Sequence, residues 1–331
     1  MKRTGQIILG VGLVICILAG QAQGIPAKRL TWNSGNSESP DLAIDSWGNP
    51  HVVWADSTPG NTVIYYKRST DGGATWLASQ RLTWTPGYSF DPAISVDSYG
   101  NVHVIWSDTP SLGLCDIYYR RSTDGGATWL ASQRLTWNSG WSLKPAIAAD
   151  YSGNLYMVWY DDTPAAGYYQ IYCRRSKDGG STWLASQRLT WSSAWSMYPA
   201  LALDKSGNVH VVWEDHAPGN YEIYSKKSTD GGASWLAGKR LTSNSGGSEN
   251  PDIAVDSLGN LWVVWDDETP SGYEEIYYKA STNEGSTWIP SQRLTWTAGS
   301  SEFPSIAADS DGHIHVVFED NTPGNYEIYY F

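Results

Sequence analysis

The chain has 331 residues, which by length alone corresponds to one large or two ordinary domains. It carries 34 acidic side chains against 22 basic ones, and its formal charge at pH 7 is −12. Nucleic acids and anionic membrane surfaces recruit positive charge, so this balance excludes both as expected partners. Three cysteines in a chain of this length do not form a disulfide framework.

The N-terminal segment has the composition of an export signal. Lys2 and Arg3 precede an apolar run over residues 7–19, and small residues follow up to Gly24. This order predicts a secretory signal peptide over residues 1–24, because the apolar run is too short for a comfortable membrane span. We therefore expect a secreted, cell-surface or periplasmic protein with no other membrane attachment. An uncleaved anchor is the alternative.

The rest of the chain is an internal repeat. The triplet Arg-Leu-Thr begins at residues 29, 81, 134, 188, 240 and 293, a spacing of 52 to 54 residues. Each unit contains four short segments rich in Val, Ile, Tyr, Trp and Thr, separated by Gly, Asn, Asp and Pro. A period near fifty with four strands per unit predicts an all-β, six-bladed β-propeller of four-stranded antiparallel blades.

The two ends of the chain predict how the ring closes. The predicted blades span residues 40–84, 92–137, 145–191, 199–242, 251–296 and 304–331, all within a single domain over 25–331. The last unit stops after its third strand, whereas residues 27–32 read as a fourth strand with no preceding partner. We expect this N-terminal strand to complete the last blade and leave no bare edge. A closed ring of this kind is expected to be a monomer.

A short motif recurs between the third and fourth predicted strands. Its pattern is Ser-x-Asp-x-Gly-x-Thr/Ser-Trp, first at residues 69–76, and the block 68–84 returns unchanged at 121–137. The carboxylate accepts hydrogen bonds from the turn and glycine supplies a positive φ, so we interpret the motif as a structural turn. The key positions are Asp71, Asp124, Asp178, Asp230 and Asn283. Asparagine in the fifth copy suits a turn but not a catalytic or metal-binding carboxylate.

This motif resembles the Asp box, or bacterial neuraminidase repeat, of sialidase-like propellers. The resemblance covers the whole chain after the signal segment and implies that the boxes lie on the face away from an active site. It also implies an Arg-Ile-Pro motif, three converging arginines, a Tyr–Glu nucleophile pair and an Asp acid. No Arg-Ile-Pro occurs here, and every arginine after Arg3 occupies a repeated position. No catalytic residue of the family can therefore be placed.

Function is expected where equivalent positions differ between blades. In the connection leading into each blade, the residue four before the aligned proline is Tyr88, Trp141 or Trp195 in three blades. Two before the proline stand Phe90, Leu143 and Met197 in those same blades, and Glu38, Glu249 and Glu302 in the others. The predicted rim therefore has an apolar part and an acidic part, on the face opposite the Asp boxes. Packing of these residues between blades is the alternative interpretation.

The favoured function is a non-catalytic binding propeller for a glycan or a protein or peptide ligand. Aromatic rings would stack on a sugar or clasp a peptide, and carboxylates would accept hydroxyl or amine partners. A divergent sialidase-like glycoside hydrolase and a structural repeat of the cell envelope are the two alternatives. No cofactor and no metal site are expected, because nothing resembles a calcium loop or a metal-ligand cluster.

Overall fold

A computed structural model describes residues 28–110, 113–163, 167–270, 272–309 and 311–331. The predicted signal peptide lies outside these ranges. The described residues form 23 β-strands and no helix, so no described helix could span a membrane. The strands make six antiparallel sheets in a ring, which confirms the all-β six-bladed propeller.

The first three blades have closely similar strand bounds. The first blade contains β1 Ser37–Ile44, β2 Pro50–Asp56, β3 Val63–Arg68 and β4 Gln80–Arg81. The second contains β5 Tyr88–Val96, β6 Val102–Thr109, β7 Asp116–Ser122 and β8 Gln133–Arg134. The third contains β9 Ser142–Ala149, β10 Leu155–Asp161, β11 Gln170–Ser176 and β12 Gln187–Arg188.

The other three blades follow the same plan. The fourth contains β13 Ser196–Leu203, β14 Val209–Asp215, β15 Glu222–Ser228 and β16 Lys239–Arg240. The fifth contains β17 Ser248–Val255, β18 Leu261–Glu268, β19 Glu274–Ser281 and β20 Gln292–Arg293. The sixth contains β21 Ser301–Ala308, β22 Ile314–Asp320 and β23 Glu327–Tyr330. Within each sheet the strands follow one another in chain order.

The hydrophobic core lies between neighbouring blades. In the first four blades the second strand is a largely apolar segment buried on both faces, as a central strand of stacked sheets requires. At the first seam, Val53 and Ile64 of the first blade pack with Val104 and Trp106 of the second. Comparable apolar clusters occur at the other seams, so each blade is stabilised mainly by its neighbours.

A hydrogen-bonded triad of serine, tryptophan and aspartate joins the first two strands in the first five blades, and Phe318 replaces the tryptophan in the sixth. In the second blade, the Ser89 hydroxyl donates to Asp108 Oδ2 at 2.7 Å and the Trp106 indole donates to the same oxygen at 2.8 Å. The serine–aspartate pair is present in all six blades. The serine lies near the start of the first strand and the aspartate near the end of the second, so this pair accounts for the serine found three residues before the aligned proline in all six blades.

The Asp boxes are self-contained turns. Asp124 Oδ1 accepts hydrogen bonds from the Ser122 hydroxyl at 2.6 Å and the Thr128 amide at 2.8 Å. The same contacts recur around Asp71, Asp178 and Asp230. Asn283 preserves them, since its Oδ1 accepts from the Thr287 amide at 2.8 Å.

The N-terminal segment lies where a fourth strand of the last blade belongs. The Lys67 ammonium donates to the Leu30 carbonyl at 2.8 Å, just as Arg120 donates to Leu82 of the preceding blade at 2.6 Å. Leu30 also packs in the seam cluster with Val317 of the sixth blade. Among the described residues, no backbone hydrogen bond joins 28–32 to β23, so the hydrogen-bonded sheet of this blade has three strands. The segment is held by side chains.

Candidate functional site

The loops divide between two faces of the ring. The connection into each blade lies beside the loop between its second and third strands, since the Ser57 amide donates to the Asn36 carbonyl at 2.9 Å. The Asp boxes instead lie beside the turn between the first two strands, where the Gly72 amide donates to Asn49 Oδ1 at 3.1 Å. The predicted rim residues and the Asp boxes therefore occupy opposite faces. The rim face is called the upper face below.

A cavity of about 380 Å³ runs along the ring axis and is lined by the first strands of all six blades. Most of its wall is Ala, Val, Ile, Leu and Pro, and polar groups come from a few positions only. Two of these are Asp41 and Asp252, which accept hydrogen bonds from the amides of Ile94 and Ile306 in the following blades. Burial raises the pKa of Asp41 to about 8 and that of Asp252 to about 6.

The residue before each aligned proline has an unusual backbone. Its φ lies between 48° and 51° in every blade, although none of the six is glycine. A register shift between the first two strands accompanies it, so this residue is the extra one of a β-bulge. Such a conformation costs about 1–3 kcal/mol for a residue with a Cβ, and it re-aims the side chain.

These six positions form a ring in which every blade contributes a different side chain. The members are Ser39, Asp91, Lys144, Tyr198, Asn250 and Phe303. All except Ser39 line the axial cavity. We call all six positions together the bulge ring. The sequence analysis did not identify the bulge ring, because it compared the residues two and four before the proline and not the residue directly before it. The signal was available, since no two blades share a residue immediately before the proline.

Neighbouring members of the bulge ring interact. The Lys144 ammonium donates to Asp91 Oδ1 at 2.8 Å and lies 6.0 Å from the centre of the Tyr198 ring. Tyr198 in turn packs 5.8 Å from Tyr160, centre to centre. Asp91, Lys144 and Tyr198 belong to three consecutive blades, so these contacts fix a continuous polar and aromatic arc across the cavity entrance.

Two buried carboxyl groups hold the other side of the ring. Glu214 Oε2 accepts the Asn250 amide at 3.0 Å, and Asp266 Oδ1 accepts the Phe303 amide at 3.1 Å. The Asn250 side chain also donates to Asp266 at 3.1 Å. Burial raises the pKa of Glu214 to about 8 and raises that of Asp266 well above its usual value. Each carboxyl group therefore fixes the strained backbone of the next blade.

The predicted glutamates are distributed unevenly. Glu249 is half-buried, and burial raises its pKa. The negative charges of Glu274, Glu268 and Glu302 raise this pKa further. Glu302 accepts a hydrogen bond from the Tyr326 hydroxyl at 2.7 Å. Glu38 is exposed and stands opposite Ala55 in the register of β1 and β2. The acidic part of the upper face is thus concentrated in the fourth to sixth blades.

The predicted apolar residues separate into two kinds. Tyr88 is 58 % exposed, whereas Trp141 and Trp195 are each 41 % exposed, so their rings remain open to a ligand. Phe90 is half-buried. Leu143 and Met197 pack against the apolar cluster of the third and fourth blades, as the alternative interpretation expected for residues of that kind.

The upper face also carries aromatic side chains outside the predicted set. The Trp195 ring lies 6.2 Å from His216, which lies 4.8 Å from Tyr221. The Trp195 indole donates to the Gly167 carbonyl at 3.4 Å. These contacts place Trp195 between the loops of two blades. One side of its ring is held by them, and the other side is exposed.

On the opposite face, Asp309, Asp311 and His313 bring ligand atoms within 4.8 Å of one another. Asp309 accepts the amides of Asp311 and His313 at 2.9 and 2.8 Å, and His313 Nδ1 lies 2.9 Å from its second oxygen. Asp45 caps the same turn of the first blade in the same way. The turn's own hydrogen bonds therefore account for this group.

Together, the ring of sheets and the axial cavity define a six-bladed propeller. The sequence matches the model of the BNR repeat-like domain over residues 59–316, and the chain belongs to this family. A sialidase of Micromonospora viridifaciens is 25 % identical over 322 residues, which cover 85 % of this chain and 48 % of the relative. A xyloglucanase of Acetivibrio thermocellus is 28 % identical over 61 % of this chain and 25 % of that protein. The chain thus spans about half or less of these curated relatives.

Solved structures show the same fold. An α-L-arabinanase of Penicillium chrysogenum, complexed with arabinobiose, superposes with a TM-score of 0.63 at 17 % identity and covers 100 % of this chain and 98 % of its own. A protein of unknown function from Dyadobacter fermentans gives a TM-score of 0.67 at 15 % identity, covering 89 % of this chain and 94 % of its own. The fold is accordingly one found in sugar-related proteins.

Proposed function

We propose that this is a secreted binding propeller that takes a neutral glycan at its axial entrance without cleaving it. The observation that carries the proposal is the bulge ring, in which six strained positions carry six different side chains, five of which line one cavity. Strain of this kind persists where the surrounding structure fixes it, and it concentrates at ligand sites. A purely structural ring would repeat one residue, as the serine–aspartate pairs do.

The chemistry of the entrance suits a sugar. Tyr198 and Phe303 supply flat apolar faces, and Asp91, Lys144 and Asn250 supply donors and acceptors for hydroxyl groups. The exposed rings of Trp141 and Trp195 extend the apolar surface outward. A mainly apolar cavity with a few convergent polar groups is the usual form of a small-ligand site.

The charge of the entrance favours a neutral ligand over a sialylated one. Among the described residues that line the cavity, Lys144 is the single cation, and it is already paired with Asp91. Behind the opposite side lie the buried carboxyl groups of Glu214 and Asp266 and the half-buried Glu249, and burial raises the pKa of all three. A ligand carboxylate would meet no unpaired guanidinium among these residues, whereas sugar hydroxyl groups can donate to the side-chain oxygens of Asp91 and Asn250, which line the cavity.

Binding without hydrolysis is favoured because both buried carboxyl groups already serve the backbone. Glu214 and Asp266 accept amide hydrogen bonds that hold Asn250 and Phe303 in place. The hydrolase alternative rests on a different observation, namely that a pKa of about 8 keeps Glu214 protonated at neutral pH, as a general acid requires. The half-buried Glu249 nearby would then be its partner carboxylate.

Binding to a panel of neutral and sialylated oligosaccharides, measured by glycan array and calorimetry, tests the proposal. We expect neutral glycans to bind and Tyr198→Ala to weaken binding at least tenfold. Tyr151→Ala, an exposed tyrosine on the opposite face, is the matched control and leaves binding unchanged. Unchanged binding by the Tyr198 variant would overturn the assignment of the site.

The same panel separates the alternatives. Release of reducing sugar that is lost in both Glu214→Gln and Glu249→Gln would establish the hydrolase alternative instead. A ligand that proves to be a peptide, or the absence of any ligand for the entrance, would favour protein recognition or an envelope scaffold. Export is tested by recovery of the chain, cleaved near residue 24, from outside the producing cell.

A further inference from the structure

Five exposed tryptophans lie on the outer edge of the ring, and the proposed axial site does not account for their exposure. They directly follow the Arg-Leu-Thr triplet and are 62–71 % exposed. The members are Trp32, Trp84, Trp137, Trp191 and Trp296. The same position of five blades therefore exposes an apolar indole surface to solvent.

Each of these tryptophans has a cation placed against its ring by the blade itself. In the first blade, Arg81 lies 5.9 Å from the Trp84 ring centre and its Nε donates to the Thr83 carbonyl at 2.6 Å. The same arginine–threonine hydrogen bond occurs in all six copies of the triplet. The guanidinium is therefore fixed beside the indole before any ligand arrives.

A second cation reaches several of these rings from the following blade. Arg120 lies 5.2 Å from the Trp84 ring centre, and Lys226 lies 5.3 Å from that of Trp191. Both also donate to carbonyl oxygens of the preceding blade, Leu82 and Leu189, at 2.6 and 2.7 Å. The tryptophan therefore sits at a seam, between two fixed positive groups.

The charge of the ring is segregated. Fifteen of the 22 Lys and Arg residues lie on third and fourth strands: three in each of the first three blades, four in the fourth and two in the fifth. Arg134 and Arg293 are neutralised by Asp116 and Glu275. In the described part of the chain, Arg81 and Arg188 have no carboxylate partner among the ion pairs.

We propose that these tryptophan–cation seams bind an anionic polysaccharide, several seams at a time. The indole face stacks on a sugar ring while the adjacent guanidinium or ammonium pairs with a carboxylate of the polymer. A polymer that carries one charge per sugar matches both features at once, whereas a neutral glycan uses only the first. The net negative charge of the chain does not prevent this, because at physiological salt charges more than about 8 Å apart are largely screened.

Repetition makes the weak single sites effective. One seam offers a single stacked ring and one or two charges, which gives modest affinity. Linked sites on one polymer raise the overall affinity by about 10²–10⁴ over a single site, because later contacts form intramolecularly. Among the described residues, the seams at Trp32, Trp84 and Trp191 combine an arginine that has no carboxylate partner with a second cation, so these three are expected to contribute most.

The chain contains its own control. The fourth blade has Ser243 where the other copies have tryptophan, and its Arg240 is paired with Glu222. Tryptophan-to-serine changes therefore copy a natural blade and are not expected to impair folding. The reverse change, Ser243→Trp, adds a sixth indole to a seam whose arginine is already neutralised.

The test is affinity electrophoresis of the full chain in gels containing polygalacturonate, with fully methyl-esterified polygalacturonate as the uncharged counterpart. We expect retardation by the charged polymer only, a loss of about tenfold or more in Trp84→Ser/Trp191→Ser, and an increase of about twofold in Ser243→Trp. Tyr198→Ala leaves retardation unchanged, which keeps this result separate from the axial site. Equal retardation of the double variant and the parent, or equal retardation by both polymers, overturns the proposal.

Discussion

Lys67 and Leu30, 37 residues apart, are joined by an ammonium-to-carbonyl hydrogen bond of 2.8 Å that crosses the junction between the first and last blades. The same relationship links the second to fifth blades to the blades before them, as Lys226 and Leu189 show, whereas the sixth blade has Phe331 at this position. The junction where the chain begins and ends is therefore built from the same contacts as the internal seams, with the β-ladder replaced by side-chain contacts.

The first prediction concerns this junction. Leu30→Asp places a charge in the seam cluster beside Val317, and we expect it to lower the free energy of unfolding by about 2–4 kcal/mol. Denaturant unfolding followed by tryptophan fluorescence measures the change. Leu77→Asp, at an exposed leucine of the first Asp-box loop, is the control. Equal stability of the two variants would mean that residues 28–32 contribute nothing to closure.

The second prediction concerns pH. Burial raises the pKa of Glu214 to about 8, above its usual value near 4.5, so the folded state holds a proton that the unfolded state releases. Its contribution to stability is complete below about pH 4.5 and is lost as the pH rises through 8. Glu214→Gln keeps an oxygen for the Asn250 amide and removes this loss.

We therefore expect the melting temperature of Glu214→Gln to exceed that of the parent at pH 8.5 and to approach it at pH 4.5. Each 1 kcal/mol corresponds to about 2–4 °C for a chain of this size. Glu327→Gln, on the exposed part of β23, is the comparison variant. Parallel melting curves for parent and Glu214→Gln across this range contradict the assignment.

The third prediction concerns the Asp boxes. Asp124→Ala removes the acceptor for the Ser122 hydroxyl and the Thr128 amide, and we expect it to cost about 1–2 kcal/mol in unfolding free energy. Asp124→Asn should cost less than half as much, because Asn283 makes the same contacts in the fifth blade. Chemical denaturation of both variants distinguishes a turn-forming role from any requirement for negative charge, which would make the two losses equal.

The fourth prediction concerns backbone strain in the bulge ring. Ser39 has a φ of 49° and does not line the cavity, so changes there report on the backbone alone. Ser39→Val is expected to destabilise the chain by about 1–3 kcal/mol, since branched side chains disfavour this conformation. Ser39→Gly should be neutral within about 1 kcal/mol, as relief of strain offsets the added freedom of the unfolded chain. Equal unfolding midpoints for the valine and glycine variants contradict the strained geometry.

The repeat allowed the ring, the strand order and the turn role of the Asp boxes to be predicted, because each depends on spacing and on residues that recur. The bulge ring could not be found in that way. Its positive φ arises because an extra residue is inserted opposite the second strand. Neither lysine nor tyrosine is a residue type that favours a positive φ, so Lys144 and Tyr198 do not indicate such a backbone in the sequence. Leu143 and Met197 were predicted to lie on the rim, but they are partly buried against an apolar cluster of the third and fourth blades.

Glu214 and the outer tryptophans illustrate two further limits. Glu214 directly follows Trp213 in the second strand of its blade, but its contact with the Asn250 backbone joins residues 36 positions apart and cannot be predicted from a local pattern. Trp84 recurs at the same position of four other triplets, so a search for function at positions that differ between blades does not select it. Its exposure depends on the edge of the blade where the fourth strand ends.

The bulge before each proline has one more consequence. It specifies a backbone and leaves the side chain unspecified, so serine, aspartate, lysine, tyrosine, asparagine and phenylalanine all occupy the same geometry within 3° of φ. Stability and selectivity are consequently encoded at separate positions. Exchanging these six letters, with every turn and seam left intact, offers a compact combinatorial library for redirecting the entrance toward new ligands.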